Sequence, residues 1–256
     1  MSFASILITG ASSGLGAALS KELAGPDVTL VLVGRNLERL TAVAEACAAQ
    51  GANALPLQLD LTDQDAALIQ LTKADQTHKF DLAIANAGVA YGRETPELAR
   101  STTATNVLGV LSTIQAVEPG MVARGKGQIG LISSLAAFRT LGGPAAYAAS
   151  KAWVRLFGEA MRGRLARKGV GVTVICPGFV DTPMVDDRTR AQFGASMMPA
   201  DKAAQKIAKA LAKNHARLSF PSGFSLRTWW LSTLPAWWTD RKIRRAARKA
   251  ARQKDL

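Results

Sequence analysis

A tyrosine and a lysine stand four residues apart in YAASK, Tyr147 to Lys151, with only small side chains between them. A phenol holds its proton to a pKa of about 10 and is a poor acid or base near neutrality. An ammonium beside it favours the phenolate and lowers that value. On a helix, positions i and i+4 share a face, and Ala148 and Ala149 leave room around the pair. The spacing suits proton transfer at an oxygen atom, although it also occurs on ordinary exposed helices. A second group of residues suits an anion. In TGASSGLG, Thr9 to Gly16, the glycines Gly10, Gly14 and Gly16 carry no Cβ to obstruct a pyrophosphate, and Ser12, Ser13 and Leu15 complete the turn. The helix that follows offers unpaired N–H groups and a favourable dipole.

These residues need a scaffold, and the chain supplies one by alternation. Short, apolar, β-branched runs occur at Phe3–Thr9, Val28–Gly34, Asn53–Leu59, Asp81–Asn86, Gln128–Ser134 and Val170–Cys176. Between them lie helical stretches at Leu15–Ala24, Leu37–Gln50, Asp63–Thr77, Glu97–Ala123 and Ala146–Lys168. A helix at Pro199–Asn214 and a short strand near Ala216–Phe220 follow. Strands alternating with helices predict βαβ units around a parallel sheet covered on both faces. The fold class is therefore α/β, a Rossmann-like doubly wound parallel sheet of six to seven strands. Residues 1–221 form one dinucleotide-binding and catalytic domain, and residues 222–256 form a C-terminal helical extension that is not an independent domain.

The glycine turn sits between the first strand and first helix, where such a fold binds a dinucleotide, although its spacing is G-x-x-x-G-x-G and not G-x-G-x-x-G. After the second strand, an acidic residue would accept from a ribose 2′-hydroxyl and repel a 2′-phosphate. This chain has Gly34 and then Arg35 there. A guanidinium matches a phosphate in shape and charge, which favours NADP(H).

Several short motifs fall in one order: TGASSGLG, Asp60–Leu61, NAG at 86–88, Asn106, ISS at 132–134, YAASK, and PG at 177–178. Over about residues 3–220 this pattern resembles the short-chain dehydrogenases/reductases. The resemblance implies that Tyr147 is a general acid/base for a carbonyl or alcohol. It implies that Lys151 lowers the tyrosine pKa and holds the nicotinamide ribose. Ser134, thirteen residues before Tyr147, would hydrogen-bond the substrate oxygen, with Ser133 the competing choice. Asn106 resembles a residue that bends its helix and holds a water linking Lys151 to solvent. Asp60 and Leu61 would contact adenine, and Asn86, Ala87 and Gly88 would border the adenine ribose. Pro177 and Gly178 would pass the nicotinamide, with Val180 and Thr182 bonding its carboxamide. The implied activity is NADP(H)-dependent hydride transfer to or from an apolar carbonyl or secondary alcohol. A non-catalytic NADP(H)-binding sensor, or a peripheral membrane-associated scaffold of the same fold, is the alternative.

The end of the chain departs from this pattern. Trp229, Trp230, Trp237 and Trp238 crowd into ten residues, and Leu226, Trp230 and Leu234 recur every four before Pro235. From Asp240 to Leu256 there are eight Lys/Arg against two Asp, a net of +6 out of a formal +13 for the chain. The pattern predicts a basic amphipathic helix there. Three readings stay open: a roof over the substrate cavity, a dimer contact, and attachment to an anionic membrane surface. The ending also lacks the glycine-rich tail associated with the family's tetramers, which points to a homodimer. No nucleic-acid reading motif accompanies the charge. Residues 183–198 suit a lid or a variable surface loop.

The remaining features exclude other classes. His78 and His215 have no Cys or carboxylate at ligand spacing, so no metal site is expected. Cys47 and Cys176 lie in apolar runs and read as two buried thiols in a reducing compartment. The start shows no leader pattern, and the apolar runs are shorter than a membrane span. These features predict a cytoplasmic location, with contact at the inner membrane surface left open by the tail.

Overall fold

The structure is a computed structural model that describes residues 3–139, 143–235, 237, 238, 240 and 241. Among these, seven strands form one parallel sheet: β1 (Ser5–Thr9), β2 (Thr29–Gly34), β3 (Asn53–Gln58), β4 (Leu82–Ala85), β5 (Gly127–Ile132), β6 (Val170–Pro177) and β9 (Arg217–Phe220). Their order is β3-β2-β1-β4-β5-β6-β9. The order reverses between β1 and β4, so a crevice opens at the carboxyl ends of those two strands. In-register pairing, such as Thr9 with Val33 and Ile8 with Ile84, brings those strand ends level.

Helices cover both faces: α1 (Gly14–Leu23), α2 (Leu37–Ala48), α3 (Gln64–His78), α4 (Pro96–Thr103), α5 (Gly109–Ala123), α6 (Ala145–Ala166) and α8 (Ala200–Ala212). One core, with Leu7, Val31, Leu71, Val117 and Val154, lies under α3, α5 and α6. The other, with Ile6, Ile8, Leu19, Leu40 and Ile207, lies under α1, α2 and α8. The alternation in β1 explains the split, since successive side chains leave a strand on opposite faces. Asn36 and Asp63 start α2 and α3 by accepting from Arg39 and Ala66 backbone N–H groups.

Three expectations are refined. The helix expected over 97–123 is divided by a π-helical turn, Ala104–Leu108. The stretch expected as a lid or loop, residues 183–198, holds a short helix α7 (Asp187–Phe193) and runs into a strand β8 (Met198–Pro199), which pairs with β7 (Val180–Asp181) just before the stretch. The apolar helical face expected before Pro235 lies on α9 (Ser222–Thr233), and the structure sets its orientation. Thr228 and Leu231 turn inward, whereas Leu226 and Trp230 face out, because α9 packs along one narrow edge of the body. The basic helix expected beyond Arg241 lies outside the described residues.

Candidate active site

The glycine turn is shaped by its backbone. Gly10 and Gly14 hold φ of +66° and +54°, a region that a side chain makes costly. A Cβ on Gly16 would lie 2.1 Å from the Gly10 carbonyl oxygen. The turn is also tied across the crevice to the end of β4. Asn86 Nδ2 donates to the carbonyls of Thr9 and Gly10 at 2.9 and 3.2 Å. Thr9 Oγ1 accepts from the backbone N–H groups of Asn86 and Ala87, both at 3.1 Å. Asn86 is thus engaged as a brace for the turn. Thr9, left unassigned by the sequence reading, is its partner, and the only signal for it was its place at the strand end.

The cradle fits a dinucleotide pyrophosphate. Ser13 precedes α1 in an extended conformation, and no side chain caps the helix, so its first N–H groups point at the crevice unclaimed. Ser12 Oγ lies 3.3 Å from where a Cβ on Gly34 would stand, which brings the turn beside Arg35. Arg35 is exposed, and its guanidinium makes no bond to the described residues. On the far side, Thr182 approaches Gly14, with its Cβ 3.2 Å from a Cβ built there. Gly178 N–H donates to the Phe220 carbonyl at 2.7 Å, which fixes the Pro177–Gly178 turn against β9. Val180 is buried in the β7 pairing. Asp60 is exposed, and its Oδ1 accepts from Thr62 N–H and Oγ1 at 2.9 Å each. The Leu61 side chain is in the core, so only its main chain can meet a ligand.

The residues expected to do acid/base work gather where the end of β5 meets the start of α6. Lys151 is buried and its Nζ donates to the Ile132 carbonyl at 2.9 Å. The ammonium lies 5.9 Å from the Tyr147 ring centroid. A Cβ on Gly88 would be 3.3 Å from both Lys151 Nζ and Asn106 Oδ1, so those two atoms flank the same glycine. Ser134 stands close enough to Tyr147 to act on its protonation, and its Oγ accepts from Ala136 N–H at 3.1 Å. Ser133 is directed elsewhere: its hydroxyl donates to the Lys151 carbonyl at 2.7 Å and fastens α6 to β5.

Asn106 is fully buried in the π turn, with Oδ1 accepting from Val89 N–H at 2.7 Å. Its Nδ2 donates to the Val89 carbonyl and to Ser150 Oγ, at 3.0 and 3.1 Å. Ser150 in turn donates to the Tyr147 carbonyl at 2.7 Å. One asparagine therefore joins the loop after β4 to the turn of α6 that bears tyrosine and lysine. The extra residue of a π turn aims it there, a use such turns often have. Ser150 and Glu94 were not singled out in the sequence. Glu94 Oε2 accepts from Ala146 N–H at 3.1 Å and so caps α6 one residue before Tyr147. A carboxylate fifty-two residues away has no local pattern to betray it.

Protonation follows burial. Desolvation pushes the Tyr147 phenol above its ordinary value, against the opposing hydrogen bond from Ser134. Desolvation likewise lowers the Lys151 ammonium to about 8, opposed by the nearby Cys176 sulfur. The expected lowering of the tyrosine is thus not the net direction in the protein alone, where burial of the phenol is the largest influence. Burial also raises the Cys176 thiol to about 11. Cys47 and Cys176 are both unpaired and buried. Among the described residues, no three His, Cys, Asp or Glu side chains converge as metal ligands. No described helix is long and apolar enough to cross a membrane.

Known proteins resemble this chain in sequence and fold. The sequence model for short chain dehydrogenases matches residues 4–192. An uncharacterized oxidoreductase of Myxococcus xanthus is 38% identical over 240 residues, covering 92% of this chain and 94% of its own. A ketoacyl reductase of Nostoc, HetN, is 33% identical over 214 residues, with 80% and 74% covered. The crystal structure of a 3-oxoacyl (acyl-carrier-protein) reductase from Agrobacterium tumefaciens with NADP bound superposes with a TM-score of 0.76 at 25% identity, covering 84% of this chain and 92% of its own. A glycine cradle at the switch point, a tyrosine and lysine on one helix turn, and a match over most of the sequence agree: the chain belongs to the short-chain dehydrogenase/reductase family, oxidoreductases that use NAD(P) and act on small molecules.

Proposed function

We propose that the protein is an NADP(H)-dependent reductase of apolar carbonyl compounds, working in the reverse direction on secondary alcohols. The observation that carries the reading is the convergence of Ser134, Tyr147 and Lys151, with Ser134 beside the tyrosine and the lysine buried 5.9 Å from its ring centroid. Bound NADPH supplies the hydride. The Tyr147 hydroxyl gives its proton to the carbonyl oxygen as negative charge develops there, and Ser134 steers that oxygen by a hydrogen bond. A phenol held above its ordinary pKa stays protonated near neutrality, which suits this role. Lys151 holds positive charge beside the ring and would bind the nicotinamide ribose. Asn106 positions both through Ser150 and Val89, and its Oδ1 beside Lys151 suits a water that returns the proton from solvent.

The glycine cradle with Ser12, Ser13 and Leu15 would hold the pyrophosphate, and Asp60, Leu61, Ala87 and Gly88 the adenosine. Pro177, Gly178, Val180 and Thr182 would hold the nicotinamide end. Arg35, exposed and unengaged at the tip of β2, supports the phosphate-bearing dinucleotide over NAD. The NADP seen with the Agrobacterium reductase is in keeping with this choice. An apolar substrate is supported by Phe179 and Phe193, which stack at 4.7 Å where the segments after β6 flank the cleft. The two unpaired thiols suit a reducing cytoplasm.

The test is NADPH and NADH oxidation by the purified protein across carbonyls graded in chain length and ring size. NADPH turnover should fall by about a thousandfold or more in Tyr147→Phe, with cofactor binding kept. In Arg35→Glu, kcat/KM for NADPH should drop by about tenfold or more while that for NADH holds or rises. Turnover that persists in Tyr147→Phe would sink the mechanism, and equal use of both cofactors would sink the preference.

A further inference from the structure

Net charge is divided unevenly along the chain. Residues 202–256 hold fourteen Lys/Arg against Asp240 and Asp255, a net of +12, whereas residues 1–201 carry a net of +1. No acidic residue occurs between Asp201 and Asp240. The same stretch exposes apolar surface. Phe224, Leu226, Trp229 and Trp230 on α9, with Trp237 just beyond it, are 41–68% exposed. They make up five of the ten large apolar side chains that the described residues expose, so the cluster is no random scatter. Trp230 and Trp238 meet edge to face at 6.3 Å, which holds Trp238 against the helix. Phe224 stacks on Phe179 at 6.2 Å, and Phe179 on Phe193 of α7, so α9 lies next to the segments that flank the cleft.

We propose that the outer face of α9, together with Trp237, docks on an anionic lipid bilayer. Indole rings have an apolar body and a polar N–H, and they settle at the boundary between headgroups and acyl chains. Leu226 adds area that only an apolar phase rewards. The chain continues past Arg241, at the rim of the cluster, with seven further Lys/Arg against Asp255. Basic residues beside an apolar face are attracted to negative headgroups before the face inserts. A second copy is a poorer occupant, because it would bring two strongly positive segments together across the contact. A nucleic acid would meet the charge but offers Leu226 no apolar phase.

The test uses the full chain with phosphatidylcholine vesicles, with and without phosphatidylserine. Sedimentation with the anionic vesicles should exceed that with neutral ones by about tenfold or more and weaken with salt. The triple variant Leu226→Ser, Trp229→Ser, Trp230→Ser should lose about tenfold or more of that binding while its circular dichroism is kept. Brominated phosphatidylcholine in anionic vesicles should quench the tryptophan fluorescence of the unmodified protein, a measurement that needs no variant. The proposal is overturned if the unmodified protein stays in the supernatant or its tryptophans escape quenching. It is equally overturned if the folded triple variant binds as before, since charge alone would then act. Conversion of a dimer to a monomer by the triple variant in light scattering would reassign the face to a second copy. Loss of RNA oligonucleotide binding in place of vesicle binding would reassign it to nucleic acid.

Discussion

Lys151 shows how one residue can be costly to the fold and useful to the chemistry. Its ammonium is buried with one carbonyl partner, and desolvation brings its pKa to about 8. In the unfolded chain the value returns to about 10.4. The folded pKa lies below the unfolded one, so folding disfavours the charged form. That penalty is complete below about pH 8 and is relieved as pH rises toward the unfolded value. Lys151→Met should therefore be more stable than the parent at pH 7 by about 1–3 kcal/mol in urea unfolding, and the gain should shrink above pH 8. Its turnover should collapse. A variant less stable than the parent at pH 7 would show that the buried charge is compensated. For catalysis the sign is also set. In the proposed mechanism reduction needs Tyr147 protonated and Lys151 charged, so the reduction rate should decline as pH rises through about 8, while alcohol oxidation moves the other way.

At the scale of elements, the site depends on close approach between pieces that sequence keeps apart. The turn before α1 and the end of β4 meet through Thr9, Gly10, Gly16 and Asn86. A methyl group on Gly16 would fall 2.1 Å from one carbonyl and 2.6 Å from the Asn86 amide nitrogen, neither of which can retreat without opening the brace. Gly16→Ala should cost about 1–3 kcal/mol of stability and weaken NADPH binding by about tenfold or more, read by thermal unfolding with and without cofactor. Full affinity in the variant would mean that the brace is not needed to shape the cradle. The π turn works in a similar way. The residue types over 97–123 suit a helix throughout, and the helix does run through. Only the insertion at Ala104–Leu108 aims Asn106 at Val89 and Ser150.

Over the whole molecule, stability and function are kept at opposite ends of the sheet. Away from the cleft, Asp75 at the end of α3 accepts two bonds from the Arg124 guanidinium, at 3.0 and 2.9 Å, and its side chain is only 5% exposed. Arg124 also donates to the Phe80 carbonyl, and Phe80 N–H donates to Asp75, so α3, the start of β4 and the end of α5 are joined. Arg124→Ala strands a buried carboxylate and should cost about 3 kcal/mol in urea unfolding, with the KM for NADPH unchanged. A cost below about 1 kcal/mol would place the pair among exposed ion pairs of little consequence. Residues 202–256 carry nearly all the net charge and half the large apolar side chains that the described residues expose, which is why the docking proposal belongs to the whole molecule and not to one residue.

The elements themselves were legible in the sequence because local rules govern them. Apolar runs bounded by turn residues become strands, and Asn36 and Asp63 mark helix starts. The glycine turn declared an anion cradle by backbone needs alone, and the ordered motifs declared the family. What sequence could not show were contacts between distant segments. That Ser133 spends its hydroxyl on the Lys151 carbonyl depends on how the end of β5 meets α6. Glu94 and Ser150 acquire their places only when a loop and a helix meet. The direction of the Tyr147 shift depended on burial, which is a property of the packed site and not of the YAASK spacing. The outward turn of Leu226 and Trp230 likewise followed from which edge of the body α9 could reach. Periodicity sets which residues share a face, but only the packed structure decides which face meets water.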